Sequence, residues 1–195
     1  MARITPLNPP YDDATAARLT AMMPPGTDPI GLFRTFARNP AMTDAMRGWG
    51  GYELGRTLSI GRRLREIAIL RTCARCACEY EWGVHVSFFA SKVGLSAPQL
   101  TSLTHGSSAD DCWGDDAERD VIDLCDQLHD HAAVDDALWT RLARTFDDAQ
   151  LLDLLMLCGW YHAISYVANG AAVAREPGTP TFADVLEPES GSSAA

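Results

Sequence analysis

Three side chains with reactive groups, Cys78, Glu81 and His85, follow one another at helical spacing. Residues four positions apart share a helix face, so the Glu81 carboxylate can contact the His85 imidazole, and Cys78 precedes Glu81 by one turn. A carboxylate beside an imidazole raises the imidazole pKa, while a thiol near a helix N-terminus and a histidine shifts toward thiolate. The pattern predicts three reactive groups on one pocket wall, although the same residue types also occupy solvated helix faces and apolar cores.

Cysteine clustering around this motif is a second hint of chemistry, since Cys73, Cys76 and Cys78 crowd into one short segment. The N-terminus has no apolar run of signal-peptide length, so we expect a cytoplasmic protein whose six cysteines are thiols. Cys73 and Cys76 form a C-x-x-C, but in the middle of a helix that spacing gives poor disulfide geometry. The three thiols are also unsuited to a shared zinc ion, because clustered helical thiols cannot all converge on one point.

The segments that carry these residues have helical patterns. Residues 60–78 show the strongest helical spacing of apolar side chains, and residues 79–93 continue it. Capping boxes begin at Ser96 and Asp147, and the second precedes a long apolar helix over residues 149–173. Alternating strand patterns are absent, so the predicted fold class is all-α.

Length, charge and composition bound the function further. A chain of 195 residues fits one domain, and its formal net charge of -10 disfavours nucleic acid and anionic membrane as partners. No stretch of 18 uncharged apolar residues occurs, so we expect no membrane span. The expected organisation is an N-terminal arm with a short helix at 1–27, a helical domain at 28–175 and a flexible C-terminal tail at 176–195. Residues 155–162 weakly echo the motif segment, which suggests two pseudo-repeats.

Two segments carry a resemblance to a known family. Residues 65–71, Arg-Glu-Ile-Ala-Ile-Leu-Arg, and residues 78–85, Cys-Glu-Tyr-Glu-Trp-Gly-Val-His, resemble the signature of the carboxymuconolactone decarboxylase and alkylhydroperoxidase-D-like (AhpD-like) superfamily. The family pattern is a Glu, eleven residues, a Cys, two residues, a Cys, three residues and a His. The resemblance covers about residues 28–170. It implies a single-domain AhpD-like helical bundle, assembled as a homo-oligomer such as a trimer or hexamer, with a helix break near residues 76–78.

Glu66, Cys78 and His85 match that pattern, and Glu81 stands where the second Cys would be. In alkylhydroperoxidase-type members the second Cys attacks the peroxide and the first resolves the disulfide, so this chain lacks the attacking thiol at that position. Decarboxylase-type members instead have a Glu and a His four residues apart, as Glu81 and His85 are. The chain combines the first Cys of one type with the Glu–His pair of the other.

The first functional hypothesis is therefore cofactor-independent acid–base chemistry, a decarboxylation or isomerisation of a small organic acid or lactone through an enolate-like intermediate. His85 would be the acid or base, Glu81 its orienting partner, and Glu66 a relay carboxylate, with Cys78 beside them. No cofactor or metal is expected. The predicted substrate-binding residues are Tyr80, Trp82, His162 and Arg71.

Three alternatives have different chemistry. In a thiol peroxidase, Cys78 would be the thiolate activated by His85 and resolved by a neighbouring or external thiol. A metal site could form from Glu81, His85 and His162, provided that the late helix packs against the signature helix. The non-enzyme alternative is an oligomerisation domain with a decayed site.

Overall fold

The structure, a computed structural model, describes residues 2–186, and within them it is a single all-helical domain, as predicted. The α-helices in chain order are α1 (Asp13–Thr20), α2 (Gly31–Phe36), α3 (Pro40–Glu53), α4 (Arg62–Arg75), α5 (Glu79–His85), α6 (Ala97–His105), α7 (Asp116–His131), α8 (Asp136–Thr145) and α9 (Asp148–Gly170). A π-helical turn (Val86–Ala90) and a 3-10 turn (Ser91–Val93) follow α5, and a further 3-10 turn (Phe182–Val185) lies near the end of the described chain.

Helix α4 lies at the centre of the bundle. Its residues 67–70 are fully buried although successive side chains point in different directions, because α7 and α9 pack against different sides of the helix. A helix segment whose successive side chains are all buried occupies the core of a bundle. The buried charged residues of α4 have partners: Arg65 pairs with Glu66, and Arg71 pairs with Asp126.

Helix α9 begins at the predicted capping box, in which the Asp147 side chain accepts from the Gln150 amide. Its 23 residues are long and apolar enough to cross a membrane by length and composition, but half of its most apolar window is buried inside the bundle. Its Asp153 carboxylate accepts hydrogen bonds from the Tyr52 hydroxyl and from Ser59. These contacts identify α9 as a core helix of this domain.

Both ends of the described chain pack against the bundle. The amide of Arg3 donates to the carbonyl of Ala171 at 2.8 Å. The Glu176 carboxylate accepts from the Tyr80 hydroxyl at 2.6 Å, and the Phe182 ring packs edge-on against a buried tryptophan of α5. Residues 176–186 thus contact α5 through the half-buried Glu176 and Phe182, whereas the sequence predicted a flexible tail from residue 176. Residues 187–195 of that prediction lie outside the described residues.

The two segments of the weak internal echo are both helical where they match. Residues 79–85 form α5, and residues 155–162 lie within α9. The chain before residue 79 passes through the break between α4 and α5, whereas α9 is uninterrupted.

Candidate active site

A sharp change of chain direction positions the candidate residues. Helix α4 ends at Arg75, and α5 begins at Glu79, so the break lies at residues 76–78. Ala77 adopts the left-handed conformation with φ 49, and the amide of Cys78 donates to the carbonyl of Cys73 at 2.8 Å. Such a conformation costs free energy for a residue with a Cβ, so packing of both helices must maintain it. The turn brings α5 back against α4.

A chain of polar contacts joins α4, α5 and α9 inside the bundle. His85 Nδ1 lies 2.7 Å from Oε2 of Glu66, whose Oε1 accepts from Arg65 Nη2 at 2.8 Å. On the other side of the imidazole, His85 Nε2 lies 3.5 Å from Glu81 Oε1 and 3.1 Å from the Tyr161 hydroxyl. His85 is thus held between two carboxylates and a phenol.

Electrostatics favour a charged His85. Burial opposes the charge, but Glu66 and then Glu81 outweigh that effect and raise the pKa of His85 to about 9. Burial would also raise the pKa of Glu66, yet His85 and Arg65 hold it below its ordinary value. Burial, with the charges of Glu81 and Glu66, keeps the pKa of Tyr161 well above its usual range. The Tyr161 hydroxyl therefore retains its proton at neutral pH.

A cavity of about 260 Å³ lies beside this chain of contacts, and Glu81 and Tyr161 form part of its wall. Oε2 of Glu81 is buried and has no hydrogen-bond partner within residues 2–186. A buried carboxylate oxygen without a partner is costly, and unpaired groups of this kind are typical of functional sites. The remaining lining is mainly apolar and comes from α2, α3 and α9, with Leu32, Phe33, Phe36, Met46, Leu54, Trp160 and Ile164 as members.

Arg47 of α3 brings positive charge to the same cavity. Its side chain is exposed and makes no ion pair within the described chain. Sequence reasoning missed this residue, because nothing in its local pattern distinguishes it from a solvated arginine on a helix face. Its position at the cavity depends on how α3 packs against the rest of the bundle.

Cys78 is placed differently from the sequence-based expectation. It is the N-cap of α5 and is 0% exposed, and it does not line the cavity. Burial raises the pKa of its thiol to about 11. Within residues 2–186 no hydrogen bond joins this thiol to His85. The structure therefore brings together Glu66, Glu81 and His85, and it leaves Cys78 among core side chains.

Tyr80 and Trp82 flank Glu81 in α5, and neither lines the cavity. The Tyr80 hydroxyl accepts from the Leu32 amide at 2.9 Å and donates to a carboxylate of the C-terminal segment. Trp82 is 0% exposed and packs against Phe182 with ring centroids 5.2 Å apart. Both aromatic residues, predicted to bind substrate, contact the chain's own segments rather than the cavity.

The two remaining predicted substrate-binding residues also lie outside the cavity lining. Arg71 forms a two-point ion pair with Asp126, both nitrogen–oxygen distances being 2.7 Å, and donates to carbonyls at the end of α6. His162 lies against His129, with Nε2 3.1 Å from the His129 Nδ1. The hypothetical metal site of Glu81, His85 and His162 is therefore not formed.

Tyr161, the neighbour of His162 in α9, contacts His85 at the place where the sequence predicted His162. Adjacent residues on a helix point about 100° apart, so only one of the two can face α5. The apolar pattern of α9 continues on several faces and does not identify that residue. The T-shaped arrangement of Tyr161 and His85, with ring centroids 5.2 Å apart, follows from the packing of α9 on α5.

No protein-family model matches the chain, and no curated protein matches it. Solved structures are similar to it over most of its length. The debrominase Bmp8 in its apo form has a TM-score of 0.73 at 15% identity, with 89% of this chain and 92% of that chain covered. A cysteine variant of Bmp8 in complex with 2,3,4-tribromopyrrole also has a TM-score of 0.73 at 15% identity, with 89% and 91% covered.

An uncharacterized peroxidase-related protein from Silicibacter sp. TM1040 gives a TM-score of 0.72 at 17% identity, with 92% of this chain and 96% of that chain covered. Bmp8 and the Silicibacter protein are both AhpD-like. At such identities the likeness concerns the fold. The chain therefore has the AhpD-like helical fold that its signature residues predicted.

Proposed function

We propose that the protein is a cofactor-independent acid–base enzyme of the carboxymuconolactone decarboxylase type, acting on a small organic acid or lactone. The observation that carries the proposal is the position of Glu81. Glu81 forms part of the cavity wall, its Oε2 is buried without a hydrogen-bond partner within residues 2–186, and its Oε1 lies 3.5 Å from the His85 imidazole. Such a carboxyl group can exchange a proton with a substrate on one side and with a histidine on the other.

The proposed roles differ from those that the sequence suggested. His85 is 2% exposed and does not line the cavity, so Glu81 rather than His85 would contact the substrate. His85 would be the positioning and relay residue, held in orientation by Glu66 at 2.7 Å. Tyr161, with its proton retained, would donate a hydrogen bond to a developing oxyanion.

Both candidate reactions use these groups in the same way. In a decarboxylation, the bond between the carboxylate carbon and its neighbour breaks, carbon dioxide leaves, and the electron pair forms an enolate. A proton delivered through Glu81 to carbon then completes the product. In an isomerisation, Glu81 removes a proton from one carbon and returns it to another, with the same enolate between the two steps. The Tyr161 hydroxyl stabilises the enolate oxygen in each case.

The cavity supports a small, partly apolar acid as the substrate. Its volume of about 260 Å³ suits a compact molecule, and its lining is mostly aliphatic and aromatic. Arg47 supplies a guanidinium that can bind a carboxylate at two points. We therefore propose that Arg47, rather than Arg71, binds the carboxylate of the substrate.

A thiol peroxidase based on Cys78 is the alternative. One similar solved structure is described as peroxidase-related, which at 17% identity is a likeness of fold. Against this alternative, the Cys78 thiol is fully buried and its pKa is raised to about 11. A thiol in that state is a poor nucleophile toward peroxide, because the thiolate is the reacting form.

Proton NMR in D₂O on a panel of β-keto acids and unsaturated lactone acids tests the proposal, since loss of carbon dioxide and incorporation of deuterium are both visible. Glu81→Gln and Tyr161→Phe should each lower kcat by about 10²-fold or more. Arg47→Ala should raise KM with a smaller effect on kcat.

Matched controls separate the two functions. Glu79→Gln changes a carboxyl group on the same helix that bonds to the C-terminal segment instead of the cavity, so its turnover should equal that of wild type. Cys78→Ser should also keep turnover of the acids. Wild-type rates in Glu81→Gln would overturn the acid–base role of Glu81, and a peroxide turnover that Cys78→Ser abolishes would support the thiol peroxidase.

A further inference from the structure

A second cluster of reactive side chains lies away from the cavity. Cys76 caps the end of α4, His129 lies in the last turn of α7, and His162 lies within α9. His129 Nδ1 is 3.1 Å from His162 Nε2 and 3.8 Å from Cys76 Sγ, and the three ligand atoms all lie within 4.8 Å of one another. None of the three residues lines the cavity at Glu81.

Two of these separations, between His129 and each of the other ligands, fit a tetrahedral metal site. With zinc–nitrogen bonds of about 2.0–2.1 Å and a zinc–sulfur bond of about 2.3 Å, tetrahedral angles place two nitrogens about 3.3 Å apart and nitrogen and sulfur about 3.6 Å apart. The two observed distances, 3.1 Å and 3.8 Å, each differ from these values by only a few tenths of an ångström. Small side-chain rotations would therefore suffice to bind an ion.

The hydrogen bond behind His162 orients this residue as a ligand. Its Nδ1 lies 2.8 Å from the carbonyl oxygen of Cys158. A carbonyl only accepts, so Nδ1 must carry the proton, and the lone pair of Nε2 points toward His129 and Cys76. A backbone carbonyl that fixes the distal nitrogen in this way is a recurrent partner of metal-binding histidines.

We propose that Cys76, His129 and His162 form a site for a borderline-soft divalent transition metal, Zn²⁺ in particular. One thiolate and two imidazoles supply three protein ligands and leave the fourth position to water. On binding, the Cys76 thiol releases its proton to solvent and forms a sulfur–zinc bond, while the His129 imidazole shifts its proton from Nδ1 to Nε2 through solvent so that Nδ1 can bind; no electron transfer is involved. All three side chains are half-buried, so an ion can reach them from solvent.

The ion would join three helices of the bundle core. Helices α4, α7 and α9 pack against one another, and each contributes one ligand. Binding to the folded state alone then stabilises it by mass action. This site shares no residue with the proposed acid–base site, so the two proposals stand or fall separately.

Cobalt titration of untagged, chelator-stripped protein tests the site, because tetrahedral Co²⁺ gives visible d–d bands and a thiolate ligand adds a near-ultraviolet charge-transfer band. We expect both bands to saturate at one Co²⁺ per chain, Zn²⁺ to bleach them, and Zn²⁺ at a 100-fold excess over its Kd to raise Tm by about 5 °C or more. Absence of the charge-transfer band would overturn the proposal, and would identify the cluster as a histidine–histidine hydrogen bond only.

Variants assign the ligands. Cys76→Ser should abolish the charge-transfer band, and His129→Gln and His162→Gln should each weaken Zn²⁺ binding at least about tenfold. Two control variants should bind Zn²⁺ with wild-type affinity. His131→Gln replaces an exposed histidine two residues from His129, and Cys112→Ser replaces another half-buried thiol. Circular dichroism confirms that each variant is folded. Unchanged Zn²⁺ affinity in folded His129→Gln and His162→Gln would overturn the assignment.

Discussion

His85 and Glu66 form a buried ion pair across nineteen positions of sequence, with His85 Nδ1 2.7 Å from Glu66 Oε2. The pair joins α5 to α4, and Arg65 contacts the other oxygen of the same carboxylate. Removing one partner of such a pair leaves an uncompensated charge in the core, which costs about 3–5 kcal/mol. The pair therefore stabilises the fold and also fixes the ring that faces Glu81.

The protonation of His85 gives the most direct prediction. Wild-type His85 should titrate near its raised pKa of about 9, and Glu66→Gln should lower that pKa, because the strongest attraction to the charged ring is lost. Imidazole nitrogen chemical shifts measure both values. An unchanged His85 titration would contradict the assigned ion pair.

The same shift predicts a loss of stability at alkaline pH. The pKa of His85 is raised in the folded state from 6.5 to about 9. The stability that the protonated His85 contributes is therefore fully present below pH 6.5 and disappears as the pH rises through 9. Chemical denaturation across this window should show wild-type stability falling, and Glu66→Gln should show a flatter profile. A wild-type profile that is already flat in this range would contradict the prediction.

Glu53 gives an independent prediction in a more acidic window. Burial, and then the charge of Asp153, raise the pKa of Glu53 from 4.5 to about 7, and neither of its carboxylate oxygens has a partner in the described chain. The stability that the protonated Glu53 carboxyl contributes is fully present below pH 4.5 and is lost as the pH rises through 7. The free energy of unfolding of Glu53→Gln, relative to that of wild type, should therefore increase by on the order of 1–3 kcal/mol between pH 4 and pH 8. Equal stability differences at the two pH values would show that Glu53 is ionised without penalty.

Thiol reactivity tests the burial of Cys78. In metal-stripped native protein, iodoacetamide should alkylate the half-buried Cys76 and Cys112 first, and the buried Cys73 and Cys78 only on unfolding. Peptide mass spectrometry after timed labelling measures the order. Rapid native-state labelling of Cys78, or its rapid oxidation to a sulfenate by peroxide, would contradict the burial and favour the peroxidase alternative.

Gly83 tests the packing of the C-terminal segment against α5. A Cβ at this position would lie 2.6 Å from the carbonyl oxygen of Pro180 and 3.3 Å from Thr179. Gly83→Ala should therefore displace the segment, destabilise the protein by about 1–3 kcal/mol, and increase proteolysis within residues 176–186.

Gly159 of α9 provides the matched control. It is exposed within a helix, and a Cβ there meets no atom within 4 Å. Gly159→Ala should therefore leave proteolysis unchanged and raise stability by about 0.5–1 kcal/mol, because alanine loses less backbone entropy in a helix. Similar effects of the two substitutions would show that the segment does not depend on close contact with Gly83.

Helical periodicity and capping were sufficient to predict the all-α class, and the signature residues were sufficient to predict the AhpD-like fold. The juxtaposition of Glu81 and His85 was also accessible, because residues four apart on one helix depend on local geometry alone. The proximity of Glu66 followed from the resemblance rather than from periodicity, since Glu66 lies on a different helix.

Only the tertiary structure decided which groups meet the cavity. The break at residues 76–78 placed the Cys78 thiol in the core, and the packing of α9 turned Tyr161 toward His85 and His162 toward His129. Arg47 reaches the cavity, whereas Arg71 is paired with Asp126. The sequence determines which residues share a helix face, because that depends on the backbone repeat. Which faces meet depends on how the side chains of separate helices fit together, and no local pattern contains that information.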